Sequence, residues 1–150
     1  MPRTFSIKEV AEKFALPIST IHFYDKKGLL PFVSKNKSGH RAFTPSDLSL
    51  IHTICCLKNT GMPIGDIRKY IELCLLGPDT IEQRKTLMKA HKCKIMAQQE
   101  ELLKDLQEID KKIERYDDPN ARKIITAEIN HINKKEKENV KIWKSAFKKW

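Results

Sequence analysis

Long hydrophobic runs are missing from this sequence. Nothing in it approaches the ~20 consecutive apolar residues that a membrane-spanning helix needs. The first five residues, Met1-Pro2-Arg3-Thr4-Phe5, hold no apolar signal-peptide core. These two absences lead us to expect a cytoplasmic chain with no membrane partner. Cysteine is scarce as well: there are four, which in that compartment default to free thiols. None forms a C-x-x-C pair, so a zinc site of the usual spacing is not expected. A glycine-rich phosphate loop, a clustered Asp/Glu/His motif and a G-x-S-x-G elbow are all lacking, which argues against an enzyme and against a bound cofactor. A chain of 150 residues also leaves little room for a separate ligand-binding domain of roughly 100 residues.

Charge is abundant by comparison. Charged residues make up 32% of the chain and the net charge is +10, distributed unevenly. Residues 1–77 hold eleven Lys/Arg and six Asp/Glu, residues 78–118 nine and ten, and residues 119–150 nine and three. Two basic ends thus flank a balanced middle. Many proteins have a basic surface, but this distribution fits a phosphate-binding head joined to a dimerisation rod.

Local patterns divide the head further. Ser6-Ile7-Lys8-Glu9 is a capping-box pattern, opening a helix with Ile7, Val10, Ala11 and Phe14 on its apolar side. Leu16-Pro17 interrupts it, and a second short helix is expected from Ile18 to Lys27, stopped by Gly28. Two short helices joined by a tight turn are the minimum of a helix-turn-helix. Phe32-Val33 and Ala42-Phe43 then flank a polar, turn-rich segment, Ser34-Lys35-Asn36-Lys37-Ser38-Gly39, which reads as a β-hairpin. A basic hairpin after a helix-turn-helix is a wing. Thr44-Pro45-Ser46-Asp47 restarts a helix with Pro45 at its first position, running to about Thr60 and Gly61. Another helix runs from Pro63 to about Leu76.

The longest helix is expected from Asp79 to about Tyr116. Ile81, Met88, Ile95, Leu102, Ile109 and Tyr116 fall seven apart, and Leu106 and Ile113 supply the alternating position in the second half only. Lys85, Lys92 and Gln99 hold the equivalent places upstream. The two-stranded seam is therefore assigned to Leu102, Leu106, Ile109, Ile113 and Tyr116, and residues 81–99 are expected to pack one-sidedly on the head. A helix of that length spans ~55 Å, too long for a small globule and better suited to a homodimer. Pro119 ends it. Beyond lies a basic amphipathic helix with Ile125, Ile129, Ile132, Val140, Trp143, Phe147 and Trp150 at three- and four-residue steps, broken once by Glu136. The fold class expected is mainly α: a winged helix-turn-helix head (1–77), a coiled-coil dimerisation helix (78–118) and a terminal helix (119–150).

Several of these segments together resemble the MerR-type winged helix-turn-helix regulators. The resemblance is carried by Phe5-Ser6-Ile7 with Val10-Ala11, then Thr20-Ile21-His22-Phe23-Tyr24-Asp25-Lys26-Lys27-Gly28-Leu29-Leu30-Pro31. Gly39-His40-Arg41-Ala42-Phe43, Asp47-Leu48 and Leu57-Lys58-Asn59-Thr60-Gly61-Met62-Pro63-Ile64 continue it in order. It implies a transcription regulator that binds double-stranded promoter DNA as a dimer and untwists an overlong spacer so that RNA polymerase engages both promoter elements. It departs from the family pattern at His22, where arginine is usual, and at Pro17 and Pro63, where a capping serine is frequent.

The residues suit such a role. The helix from Ile18 would enter the major groove, with Ser19 and His22 on one face as candidates for base or backbone readout. Thr20 and Tyr24, four apart, offer hydroxyls to phosphates. Lys26, Lys35, Lys37 and Arg41 supply charge for backbone contacts. Ile21 and Phe23 are assigned to the core. A coiled-coil interaction module or anti-regulator that does not read DNA is the alternative; the basic wing and the two hydroxyls count against it.

A sensing role follows from the resemblance too. Metal-sensing relatives use paired cysteines, whereas Cys93 is followed by none. Around Cys56-Leu57-Lys58-Asn59-Thr60-Gly61 and Thr80-Ile81-Glu82-Gln83-Arg84-Lys85 the chain is similar to the aldehyde- and electrophile-responsive subgroup, whose members carry a cysteine matching Cys56. His52 lies four residues earlier on the same helical face, where an imidazolium would favour thiolate. The sequence leaves two readings of Cys56 open, sensor and small core residue. Cys55 and Cys74 are assigned to the core.

Overall fold

The structure, a computed structural model, describes residues 3–147; Trp150, counted in the terminal apolar stripe, lies outside them. The order of elements is α1 (Ile7–Lys13), α2 (Ile18–Lys26), β1 (Ser34–Lys35), β2 (Arg41–Ala42), α3 (Pro45–Asn59), α4 (Ile64–Leu75), a 3-10 turn (Pro78–Thr80), α5 (Ile81–Asp117) and α6 (Ala121–Phe147). The chain forms two compact units, residues 1–97 and 98–150.

Helix starts in the first unit follow from their caps. Ser6 accepts from the Glu9 amide at 3.2 Å while the Glu9 carboxylate accepts from the Ser6 amide at 2.8 Å. Thr44 and Asp47 repeat the reciprocal pair at 3.2 and 2.8 Å, with Pro45 in the first turn of α3. Helices α2 and α4 begin without a side-chain cap, each preceded by proline (Pro17, Pro63) whose extended backbone sets the entry angle.

The stop signals are equally local. After α1 the Ala15 amide donates to the Glu12 carbonyl at 3.2 Å and the Leu16 amide to the Ala11 carbonyl at 2.9 Å. After α2, Gly28 donates to Asp25 at 3.0 Å and Leu29 to Tyr24 at 2.9 Å. Both are Schellman ends, which need a left-handed residue just past the helix. Gly28 takes φ +75° without side-chain cost, whereas Ala15 holds φ +51° with a Cβ. Ala15 is the tight turn between the two helices of the helix-turn-helix.

The hairpin is shorter than its flanking residues suggest. Its strands are two residues each, paired Ser34 with Ala42 and Lys35 with Arg41. Val33, expected in the first strand, is buried with Leu29, Leu30 and Phe43 in the core. The turn is organised by Asn36, whose side-chain oxygen accepts from Ser38 and His40 amides, both at 3.0 Å. An isolated antiparallel bridge joins Phe5 to Phe43, tying the N-terminal segment to the end of the wing.

The core of this unit gathers Val10, Ile21, Tyr24, Ile51, Ile54, Ile67 and Ile71 from all four head helices. Leu87 and Met88 of α5 pack against it. His91 is buried, its Nε2 2.8 Å from the Thr60 hydroxyl, which in turn lies 2.8 Å from the Cys56 carbonyl. Arg84 and Thr80 close the joint after α4: Arg84 donates to Thr80 at 2.9 Å and to the Cys74 and Gly77 carbonyls, and Thr80 to the Leu73 carbonyl. These bonds hold the first part of α5, as far as His91, on the head.

In the second unit α5 continues unbroken to Asp117. Leu102, Leu106, Ile109, Ile113 and Tyr116 are each more than half exposed, as are Ile129, Ile132, Trp143 and Phe147 of α6. Ala121 is buried at the turn, and an ion pair joins Arg115 to Glu128.

Candidate nucleic-acid interface

Helix α2 buries Ile21 and Tyr24 and turns its other side outward. Ser19, His22 and Lys26 are exposed on that side, and Thr20 is half-buried in the first turn. Lys35 and Lys37 are exposed on the wing, one in β1 and one in the turn. The basic and polar residues singled out for readout are therefore exposed or half-buried on α2 and on the hairpin, with Tyr24 the exception.

Tyr24 is a correction. It is only 2% exposed, and its ring lies in the core, so it is not placed for a phosphate contact. Burial, then Cys55, raises the Tyr24 pKa, and burial raises that of Cys55 against the pull of Lys58. The aromatic assignment is reversed at the neighbouring position: Phe23, expected in the core, is 40% exposed. Lys27 Nζ stands 5.7 Å and Lys58 Nζ 5.9 Å from its ring centroid, with Lys58 also 5.1 Å from the Tyr24 ring. Periodicity held the signal, because Ile21 and Tyr24 three apart define the buried stripe and leave Phe23 off it.

Arg41 is the second correction. Its charge, expected to be free for phosphate, is engaged within the head. Nε and Nη2 donate to the two Asp25 carboxylate oxygens at 3.1 and 2.7 Å, and Nη1 donates to the Val33 carbonyl. The bidentate fork joins the last turn of α2 to the base of the wing.

Among the cysteines, Cys56 is exposed and Cys55 half-buried. Exposure of Cys56 removes the core alternative for it. The His52 ring lies beside Phe14 of α1, centroids 6.4 Å apart. Cys74 is half-buried and Cys93 exposed. No group of three or more His, Cys, Asp or Glu among the described residues could hold a metal ion, and no described helix is long and apolar enough to cross a membrane.

Residues 5–74 match the model of the MerR HTH family regulatory proteins. An uncharacterised HTH-type transcriptional regulator of Haemophilus influenzae is 38% identical over 113 residues, covering 75% of this chain and 84% of the relative. The chain belongs to the MerR family. This MerR-family chain is also similar to HiNmlR, described as a MerR family regulator lacking the sensor domain and solved bound to promoter DNA. That likeness has a TM-score of 0.70 and 38% identity, covering 76% of this chain and 90% of that one. The regulator AdhR of Bacillus subtilis is 34% identical over 83 residues, 55% of this chain and 59% of its own length. The winged helix-turn-helix head and mainly helical architecture expected from sequence are those of MerR regulators.

Proposed function

We propose that this MerR-family regulator binds promoter DNA as a homodimer, reading bases with α2 and gripping the backbone with the wing. The observation that carries the reading is its likeness, over 76% of its length, to a regulator solved on promoter DNA. Ser19 and His22 face the bases, and Thr20, Lys26, Lys35 and Lys37 the sugar-phosphate backbone. Phe23, Lys27 and Lys58 extend that surface past the end of α2. An imidazole lacks the guanidinium fork with which arginine makes a bidentate contact to guanine, so the preferred site differs from those of relatives with arginine there.

The dimer forms through Leu102, Leu106, Ile109, Ile113 and Tyr116. It distorts a promoter spacer in the cytoplasm so that RNA polymerase engages both elements, a deformation costing a few kcal/mol that phosphate contacts offset. Cys56 takes the signal: its exposed sulfur adds to an aldehyde or related electrophile.

The test is fluorescence anisotropy with DNA flanking the gene, followed by transcription in vitro with and without an aldehyde. His22→Ala and Ser19→Ala should change sequence preference by about 1–3 kcal/mol per base pair. Lys37→Ala should weaken all sequences alike and flatten the salt slope. Cys56→Ser should retain binding and lose the aldehyde response. Binding that ignores sequence in wild type would sink the reading, and a normal response from Cys56→Ser would move the signal elsewhere.

A further inference from the structure

Asp25 is out of place on a DNA-reading helix. It is the only acidic residue between Lys13 and Ser46, a stretch with six Lys/Arg counting Lys13. It sits in the last turn of α2, beside Lys26 and one turn beyond His22. A carboxylate there repels phosphate, so by charge alone its loss would tighten binding.

Its geometry points to a different role. Both carboxylate oxygens are taken by Arg41, at 2.7 and 3.1 Å, and the third arm of the same guanidinium reaches the Val33 carbonyl. Asp25 and Arg41 are about one quarter to one third exposed, so the pair is partly shielded from water. Arg41 lies in β2 directly across from Lys35, and Lys37 follows in the turn that Asn36 holds closed. The hairpin has only two residues per strand and little pairing of its own to fix its angle. Three donors from one planar group, aimed at three acceptor atoms on two residues, Asp25 and Val33, fix orientation as well as distance.

We propose that Asp25 and Arg41 are positioning residues for DNA recognition: a clamp that sets the wing against α2 so that Lys35 and Lys37 meet the backbone while α2 is in the groove. The proposal deepens the DNA-binding reading and rests on it. Neither residue touches DNA, and the clamp acts through the wing lysines.

The decisive variant is Asp25→Asn in the full chain, because charge and clamp predict opposite signs. Simple electrostatics predicts tighter binding and a salt slope that is unchanged or steeper. The clamp predicts binding about tenfold weaker at moderate salt. Its salt slope should flatten by about 0.9 for each lysine that no longer reaches a phosphate, although no lysine is altered. A double-mutant cycle separates positioning from general damage. Lys35→Ala with Lys37→Ala should weaken the wild type clearly and add almost nothing in the Asp25→Asn background. Arg41→Lys, which keeps the charge but loses the planar fork, should behave like Asp25→Asn, and Asp25→Glu should recover most of the binding. Thermal unfolding run alongside should show each head folded at the assay temperature; should Asp25→Asn unfold, the same cycle on Arg41→Lys decides. Asp25→Asn binding as tightly as wild type or tighter, or full additivity with the wing lysines, would overturn the clamp. A wild type that binds no DNA would instead overturn the reading on which it rests.

Discussion

The two units of this molecule use the same apolar vocabulary to different ends. In the first, Ile51, Ile54, Ile67 and Ile71 are buried to within 1% of complete enclosure. In the second, Leu102, Leu106, Ile109 and Ile113 repeat just as regularly and remain more than half exposed. Helical periodicity says which face wants cover; it does not say whether the cover comes from the same chain. The head closes its stripes with four short helices crossing one another. The seam of α5 lies on an unbroken 37-residue helix, and such a face is the kind a second chain covers.

The largest effect expected is in the head. Ile54→Ala removes a side chain with no exposed surface, and should cost about 2–5 kcal/mol in a denaturant or calorimetric unfolding experiment. A cost below about 1 kcal/mol would mean that the head core repacks freely. The counterpart in the seam is Ile109→Lys. There the head should melt within about 0.5 kcal/mol of wild type, while sedimentation at micromolar concentration shows monomers in place of dimers and operator affinity falls. Wild type running as a monomer would break the comparison at its second half.

A smaller effect separates the units by pH. Burial raises Cys55 and Tyr24 from their ordinary values of 9.0 and 10.0, so the folded head holds these protons more tightly than the unfolded chain does. The associated stability is complete below the unfolded thiol value and is lost as pH climbs through the raised folded values. The denaturation midpoint of the head should therefore fall from about pH 9 upward, and Cys55→Ala should make that fall shallower. An equal alkaline loss in Cys55→Ala would remove the thiol as its cause. The smallest effect is a gain: Ala15→Gly relieves the left-handed alanine at φ +51° and should stabilise the head by about 0.5–1 kcal/mol, the relief of strain being partly offset by greater unfolded-chain entropy. A loss of stability would show that the Ala15 methyl is useful where it is.

Features set by neighbours in sequence are legible without the structure. The Ser6 capping box, the helix start at Pro45, the stops at Gly28 and Gly61 and the heptad spacing of α5 depend on residues within a few positions of one another. What is not legible depends on partners far along the chain or on small rotations of a helix. Arg41 reads as free charge because Asp25 is sixteen residues away. Tyr24 reads as a surface hydroxyl because the residues that enclose its ring come from other helices. Phe23 and Tyr24 exchange roles because adjacent aromatics differ only by the 100° step between successive residues. The left-handed backbone of Ala15 is invisible, since alanine gives no hint of it.

The small relay at Thr60 also makes the seating of α5 observable by spectroscopy. The Thr60 hydroxyl has one proton, and the carbonyls of Cys56 and Leu57, at 2.8 and 3.2 Å, compete to accept it. The same hydroxyl lies 2.8 Å from His91 Nε2, so the imidazole donates to its oxygen or accepts its proton according to the ring's tautomer. The contact ties the tautomer of His91 to Thr60 for as long as α5 rests on the head. Nitrogen chemical shifts of a single labelled histidine report that tautomer, so His91 is a native reporter of whether the long helix is seated, readable in the presence of DNA or an electrophile without attaching any probe.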